Sequence, residues 1–135
     1  MVEPATSAAP GSDAGGLRGR RLLVVEDEYM IAMELTRSLE ELGAEVVGPA
    51  GSVEDALELV GRDGGRLDAA VLDINLRDER VYPVADALTA RGVPFVFATG
   101  YDSMAIPSSY ASAPRCEKPV DKLQLARLLA RRWQG

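Results

Sequence analysis

Reactive side chains follow short apolar runs at four places in this sequence. The runs have the length of buried strands. Because the carboxyl ends of parallel strands lie at one edge of an open α/β sheet, we predict that these side chains converge there. The set comprises Glu26 and Asp27, then Asp73, then Thr99 and finally Lys118.

Three of these groups are carboxylates, which would repel one another where they meet. A close pair costs about 4 kcal/mol at an effective dielectric constant of about 20. A hard divalent cation would offset this repulsion, and oxygen ligands favour Mg²⁺ or Mn²⁺. The sequence contains no histidine, which counts against a zinc site. We therefore predict a Mg²⁺ or Mn²⁺ site at Glu26, Asp27 and Asp73.

With a cation beside it, Asp73 could attack a phosphoryl group as a nucleophile. The metal and the Lys118 ammonium would neutralise charge on the transferring oxygens. The Thr99 hydroxyl could then donate a hydrogen bond to a phosphoryl oxygen, and Gly100 would leave its backbone N–H and the approach path open. Asp73 alone would be interpreted more simply as a loop-capping residue. Its companions at the other strand ends favour the chemical role.

The pattern of apolar residues predicts the elements that position these groups. Strands are predicted at residues 22–25, 45–48, 69–72, 94–98 and 115–117. The first helix is predicted to stop at Gly43, and the second to begin at the N-cap Ser52 and to be ended by Gly61, Gly64 and Gly65. A third helix is predicted from Pro83 to Gly92. The last is predicted to begin at a capping box formed by Asp121 and Gln124 and to reach Trp133. Residues 100–114 show little helical periodicity. The alternation predicts an α/β, flavodoxin-like, doubly wound parallel sheet of order 2-1-3-4-5 with helices on both faces.

Length and composition limit the class of protein. The 135 residues suffice for one domain, and we predict a disordered tail over residues 1–18 followed by a folded domain over residues 19–135. The net charge of −6, without a long basic block, argues against binding to nucleic acid. No apolar run reaches the roughly 18 residues of a membrane span, so we expect no membrane insertion. The single cysteine, Cys116, fits a reducing compartment and predicts a cytoplasmic location.

Taken together, these residues resemble the receiver domains of bacterial two-component response regulators. The resemblance covers about residues 21–133 and rests on the acidic pair, the two later strand-end residues and a Lys-Pro pair. It implies that Asp73 is the phospho-acceptor and that Mg²⁺ is held by Glu26, Asp27, Asp73 and the Asn75 carbonyl. It also implies that Thr99 is the switch hydroxyl. Gly100 and Lys118 would contact the phosphoryl group. The resemblance further implies a cis peptide bond between Lys118 and Pro119.

A narrower resemblance lies in residues 83–86 (Pro-Val-Ala-Asp) and residues 97–101 (Phe-Ala-Thr-Gly-Tyr). Both segments are similar to those of the single-domain FAT GUY subfamily of alphaproteobacterial receivers. That subfamily implies general stress signalling and, as partner, a sensor histidine kinase of the HWE or HisKA2 type or a histidine phosphotransfer protein. The chain ends soon after its last predicted helix, so we expect a stand-alone receiver. We also expect a monomer or weak dimer that is not an enzyme.

One position departs from the receiver pattern. Most receivers carry an aromatic residue on strand 5, three residues before the lysine, and this chain has Arg115 there. The usual aromatic coupling to the switch hydroxyl is therefore missing at that position. We predict that Tyr101, or the segment of residues 100–114, reports phosphorylation instead.

Two other functions fit part of the pattern. A non-catalytic interaction module could keep this fold and work unphosphorylated, although every acceptor-site residue is present. A phosphohydrolase of the haloacid-dehalogenase type also uses a strand-end Asp and Mg²⁺, but normally needs a second Asp two residues later, where this chain has Asn75. The sequence favours a receiver that takes its phosphoryl group from a partner's phosphohistidine, since the chain has no histidine of its own.

Overall fold

A five-stranded parallel sheet forms the centre of the molecule. The computed structural model describes residues 17–100 and 106–134. The strands are β1 (Arg21–Val25), β2 (Glu45–Ala50), β3 (Ala69–Asp73), β4 (Phe95–Thr99) and β5 (Arg115–Glu117). They lie in the order β2-β1-β3-β4-β5, and every neighbouring pair is parallel. The predicted flavodoxin-like topology is confirmed.

Helices cover both faces of the sheet because its central strands are apolar on both sides. The helices are α1 (Tyr29–Glu41), α2 (Val53–Asp63), α3 (Tyr82–Ala90) and α4 (Lys122–Gln134). Along β1, Leu22 and Val24 pack in one buried cluster with side chains of α1 and α4. Leu23 and Val25 pack in a second cluster with side chains of α2 and α3. This alternation is the two-residue period of a strand.

The helix ends mostly follow the predicted signals. The Ser52 hydroxyl accepts a hydrogen bond from the Asp55 N–H at 3.1 Å, and the Asp121 carboxylate accepts one from the Leu123 N–H at 2.9 Å. The prediction that Gly61 helps to end α2 is wrong, since the helix continues to Asp63 with Val60 buried beneath it. In the described ranges, no helix has the length and apolar character needed to cross a bilayer.

Strand β2 is two residues longer than predicted, and its end positions the start of the acidic site. Gly48 has a φ of +100°, in the left-handed region that favours glycine, and an added Cβ would lie 2.9 Å from the Ala50 nitrogen. The register of β2 against β1 shifts here, between the partners of Leu23 and Val25, and the strand continues to Ala50. The Ala50 carbonyl then accepts a hydrogen bond from the Glu26 N–H at 2.9 Å.

The amino-terminal boundary of the folded part lies earlier than predicted. Leu17 was assigned to the tail, but its side chain is fully buried in the cluster beneath α1 and α4. The Leu17 carbonyl also accepts a hydrogen bond from the Arg20 N–H at 3.0 Å. A single apolar residue after a stretch rich in Gly and Ala has no periodicity to reveal it. Residues 1–16 of the predicted tail lie outside the described residues.

A small hairpin between β3 and α3 was not predicted. Its antiparallel strands are Asn75–Leu76 and Glu79–Arg80. Arg77, in the turn, has a φ of +52°. The Glu79 carboxylate accepts a hydrogen bond from the Val53 N–H at 3.1 Å, which joins the hairpin to the start of α2. The hairpin therefore lies directly beside the strand ends that carry the predicted site.

Candidate functional site

Three acidic side chains meet at the carboxyl edge of β1 and β3. Glu26 and Asp27 follow β1, and Asp73 ends the neighbouring β3. One carboxylate oxygen from each lies within 4.8 Å of the others. Glu26 and Asp73 are buried, while Asp27 is half-buried. The predicted convergence is observed, because β1 and β3 pair in register up to Val25 and Leu72.

Lys118 reaches this cluster from the end of β5. Its Nζ lies 3.0 Å from Glu26 Oε1 and 3.2 Å from Asp73 Oδ1. The Lys118 N–H donates a hydrogen bond to the Thr99 carbonyl at 2.8 Å, which fixes the base of the side chain beside β4. The peptide bond between Lys118 and Pro119 is cis. One ammonium group thus bridges two buried carboxylates from different strands.

The electrostatics of the cluster oppose ionisation of Asp73. The pKa of Asp73 is raised from 3.8 to about 7, chiefly by burial and also by the negative charge of Glu26, while Lys118 opposes both. Burial alone would lower the pKa of Lys118, but its hydrogen bond to Glu26 and the charges of both acids raise it. Lys118 is therefore held in its charged form. A further cation near Asp73 would favour the ionised, nucleophilic carboxylate.

The donor set fits a hard divalent cation. All three converging groups offer carboxylate oxygens, the ligands that Mg²⁺ and Mn²⁺ prefer. They line a cavity of about 320 Å³ together with Glu28, Asn75, Gly100 and Lys118. The Asn75 N–H donates a hydrogen bond to Asp73 Oδ1 at 3.3 Å, which holds this residue at the site. Mg²⁺ would be held by Glu26, Asp27 and Asp73, and Asn75 remains a predicted ligand through its carbonyl.

Thr99 and Gly100 lie at the edge of the site. Thr99 is buried at the end of β4, and its hydroxyl donates a hydrogen bond to the Cys116 carbonyl at 3.4 Å. In the described part of the chain, the side chains that line the acidic cavity do not include Thr99. Gly100 is exposed, with open space where a Cβ would stand. To reach a phosphoryl oxygen, the Thr99 hydroxyl must exchange its partner on β5.

Of the two residues predicted to take part in switching, Tyr101 and Arg115, the structure describes only Arg115. Tyr101 lies outside the described residues. Arg115 lies opposite Phe97 in the register of β4 and β5, and its Nη2 donates a hydrogen bond to the Ala111 carbonyl at 3.0 Å. Between residues 106 and 114 the chain forms only a short 3-10 turn, Ser108–Tyr110, as the weak periodicity predicted.

An aromatic cluster that the sequence did not reveal packs against β4 on the face covered by α2 and α3. The rings of Tyr82 and Tyr110 stack with centroids 4.5 Å apart and planes 14° apart. Tyr82 also meets Phe97 edge-on at 6.1 Å. The Tyr110 hydroxyl donates a hydrogen bond to the Asp86 carboxylate at 2.7 Å. These partners lie far apart in sequence, so local spacing gives no signal for their contact.

A second cation beside the acids was also missed. Nε of Arg77, in the turn of the hairpin, lies 3.5 Å from Asp27 Oδ2. The hairpin has no alternating pattern of apolar and polar residues, and arginine is unusual where φ is positive. The sequence therefore gave no reason to place Arg77 at the site.

Comparison with known proteins places these features in a family. No protein-family model matches the chain. SdrG from Sphingomonas melonis Fr1 is 42% identical, over 85% of this chain and 97% of SdrG, with a TM-score of 0.74. The structure of the BeF3-activated conformation of SdrG from Pseudomonas melonis Fr1 is 45% identical, over 82% of this chain and 92% of that one, with a TM-score of 0.68.

A curated relative is more distant. The transcriptional regulatory protein PdtaR of Mycobacterium tuberculosis is 32% identical over 93 residues, which are 68% of this chain and 44% of PdtaR. This chain therefore spans less than half the length of that relative. A response regulator receiver domain protein from Clostridium thermocellum shares the fold at 21% identity, over 85% of this chain and 94% of that one, with a TM-score of 0.75. The match to SdrG over nearly its whole length and the fold shared with that receiver domain together show that this chain belongs to the receiver domains of response regulators.

Proposed function

We propose that this chain is a phosphorylation-controlled receiver of the FAT GUY subfamily, with Asp73 as its phospho-acceptor. The observation that carries the proposal is the Lys118 ammonium, which lies within 3.2 Å of Asp73 and 3.0 Å of Glu26 in an acidic cavity. A positive charge fixed beside a nucleophilic carboxylate is what phosphoryl transfer requires of a protein. The BeF3-activated conformation of SdrG supports the proposal, since beryllium trifluoride imitates a phosphoryl group.

The transfer would proceed in one displacement. An oxygen of Asp73 attacks the phosphorus of a partner's phosphohistidine, a P–O bond forms, and the P–N bond to the imidazole breaks. The electron pair of the broken bond stays on the imidazole nitrogen, which takes a proton from solvent. Lys118 holds a transferring oxygen by its charge. Mg²⁺, when bound by the three acids, would supply further positive charge to the same oxygens.

Signalling would follow from a rearrangement at the end of β4. Phosphorylation offers the Thr99 hydroxyl a charged acceptor, which is stronger than the Cys116 carbonyl that it now contacts at 3.4 Å. We propose that this exchange alters contacts with protein partners in general stress signalling in the cytoplasm. The phosphoryl donor would be a histidine kinase of the HWE or HisKA2 type or a phosphotransfer protein, and the chain a monomer or weak dimer.

Incubation with acetyl phosphate and Mg²⁺, followed by intact mass measurement, tests the acceptor. We expect the wild type to gain one phosphoryl group, and Asp73→Asn to gain none. Lys118→Ala should react far more slowly, because the fixed positive charge is lost. A wild type that stays unmodified, while still folded, would favour the phosphorylation-independent interaction module.

Transfer from a phosphorylated HWE or HisKA2 kinase tests the donor. We expect radiolabel to move to the wild type and not to Asp73→Asn.

We also propose that the chain is not an enzyme, because Asn75 stands where a haloacid-dehalogenase hydrolase needs its general acid. Multiple turnover of a phosphomonoester by the wild type would contradict this.

A further inference from the structure

We propose that Arg77 weakens the affinity of the acidic site for Mg²⁺ and thereby sets the Mg²⁺ concentration at which the receiver can be phosphorylated. The inference rests on the proposed function of the site. It concerns a residue of the hairpin that follows Asp73.

Arg77 provides the acid cluster with a second counter-charge. Lys118 contacts Glu26 and Asp73, whereas Arg77 Nε lies 3.5 Å from Asp27 Oδ2. Each of the three carboxylates therefore has a cationic side chain nearby. Asp27 is the least buried of the three, so it is also the acid that a solvated ion meets first.

The backbone holds Arg77 at this place although arginine is poorly suited to it. Its φ of +52° lies in the left-handed region, which glycine, asparagine and aspartate occupy more readily. The turn is fixed on both sides, by the buried Leu76 and by the hydrogen bond from the Val53 N–H to the Glu79 carboxylate. An unfavourable residue in a well-held turn indicates a use for its side chain.

The position of the guanidinium sets the direction of its effect. Mg²⁺ would bind the same Asp27 carboxylate that Arg77 contacts, and the two cations would repel each other across that group. The Arg77 side chain is 80% exposed, so it can turn into solvent when the ion arrives. Exposure also means that salt screens the repulsion. Arg77 therefore competes with the metal without closing the site.

Metal titration of four proteins tests the inference. Free Mn²⁺ is followed by electron paramagnetic resonance, and Mg²⁺ affinity by competition, for the wild type, Arg77→Gln, Arg77→Lys and Arg131→Gln. The last is a matched control, since Arg131 is an exposed arginine of α4 that lines a groove with Gly92 and Pro94, at the amino edge of β4. It changes the net charge equally and lies away from the acids.

We expect Arg77→Gln to bind both metals about three- to tenfold more tightly than the wild type at low salt. The difference should shrink at high salt. Arg77→Lys should bind more weakly than Arg77→Gln, and Arg131→Gln should stay within about twofold of the wild type.

Unchanged or weaker binding by Arg77→Gln, with the wild type binding normally, would overturn the inference and leave the proposed function intact. A wild type that binds neither metal would instead overturn the metal site of the proposed function, and the inference with it. Thermal unfolding without metal checks that the variants remain folded.

Discussion

The carboxyl group of Asp73 lies in an environment that disfavours its ionised form. The residue is 5% exposed, and burial together with Glu26 raises the pKa of its carboxyl group to about 7. Residues placed for chemistry often cost stability in this way. The first prediction follows from this cost.

At mildly alkaline pH without Mg²⁺, we expect Asp73→Asn to raise the free energy of unfolding by about 1–3 kcal/mol. Asparagine has a similar shape and removes the repulsion from Glu26. Urea denaturation measures the change, and added Mg²⁺ should stabilise the wild type only. The exposed change Glu40→Gln is a control and should shift stability by less than about 0.5 kcal/mol. A less stable Asp73→Asn would contradict the prediction.

Cys116 should behave as a packing residue despite its thiol. It is 2% exposed, and burial raises its pKa. Because reaction needs an accessible thiolate, we expect almost no alkylation by iodoacetamide in the native protein at mildly alkaline pH. Mass spectrometry should show complete alkylation in urea. Rapid labelling under native conditions would show that β5 opens readily.

At the scale of the element, the 3-10 turn Ser108–Tyr110 is joined to α3 by the hydrogen bond from the Tyr110 hydroxyl to Asp86. The hydrogen bond to Asp86 raises the pKa of Tyr110 from 10.0 to about 12. Since the folded-state pKa is raised, the stabilisation is complete below about pH 10. It is lost as pH rises through about 12.

We therefore expect a phenol that titrates near pH 12 to disappear from the absorbance titration of Tyr110→Phe. In Asp86→Asn, the same phenol should titrate closer to 10. Tyr110→Phe keeps the ring stacked on Tyr82, so only the hydroxyl contact is removed. Identical titrations for the wild type and Asp86→Asn would show that Asp86 does not raise the pKa of Tyr110.

The elements differ in how well the sequence predicted them. β1 and β3 were predictable because uninterrupted apolar runs are typical of strands buried on both faces. The caps at Ser52 and Asp121 were predictable because a short polar side chain satisfies a free N–H within the same turn. The hairpin at residues 75–80 was not predictable, because its strands are only two residues long. Its turn also has Arg77 at a positive φ, where a glycine or asparagine would have indicated a turn.

At the scale of the whole molecule, two apolar clusters hold helices to opposite faces of one sheet. Leu17 belongs to the cluster beneath α1 and α4 and is fully buried. We expect Leu17→Ala to lower the free energy of unfolding by about 2–4 kcal/mol, as for other buried leucines. Urea denaturation measures the loss.

Leu57→Ala is the matched control, because Leu57 on α2 is 37% exposed. It should cost less than about 1 kcal/mol. Equal effects of the two substitutions would mean that Leu17 contributes little to the core.

The global arrangement was predictable where topology alone determines it. Parallel strands brought Glu26, Asp27, Asp73 and Lys118 to one edge, whatever the details of packing. Contacts that depend on side-chain packing between distant elements were not predictable. Leu17 in the core, Tyr110 against Tyr82, and Arg77 beside Asp27 are all of this kind.

The single tryptophan of the chain sits at the other end of β3 from Asp73. Trp133 Nε1 donates a hydrogen bond to the Asp68 carbonyl at 2.9 Å, and the Arg20 guanidinium lies 4.2 Å from the ring centroid. Asp68 and Asp73 are separated by about 16 Å of extended chain. The fluorescence of Trp133 would therefore report the attachment of α4 to the sheet and should not change when a metal ion binds at the acidic site. Unfolding can thus be followed by tryptophan emission with or without bound metal.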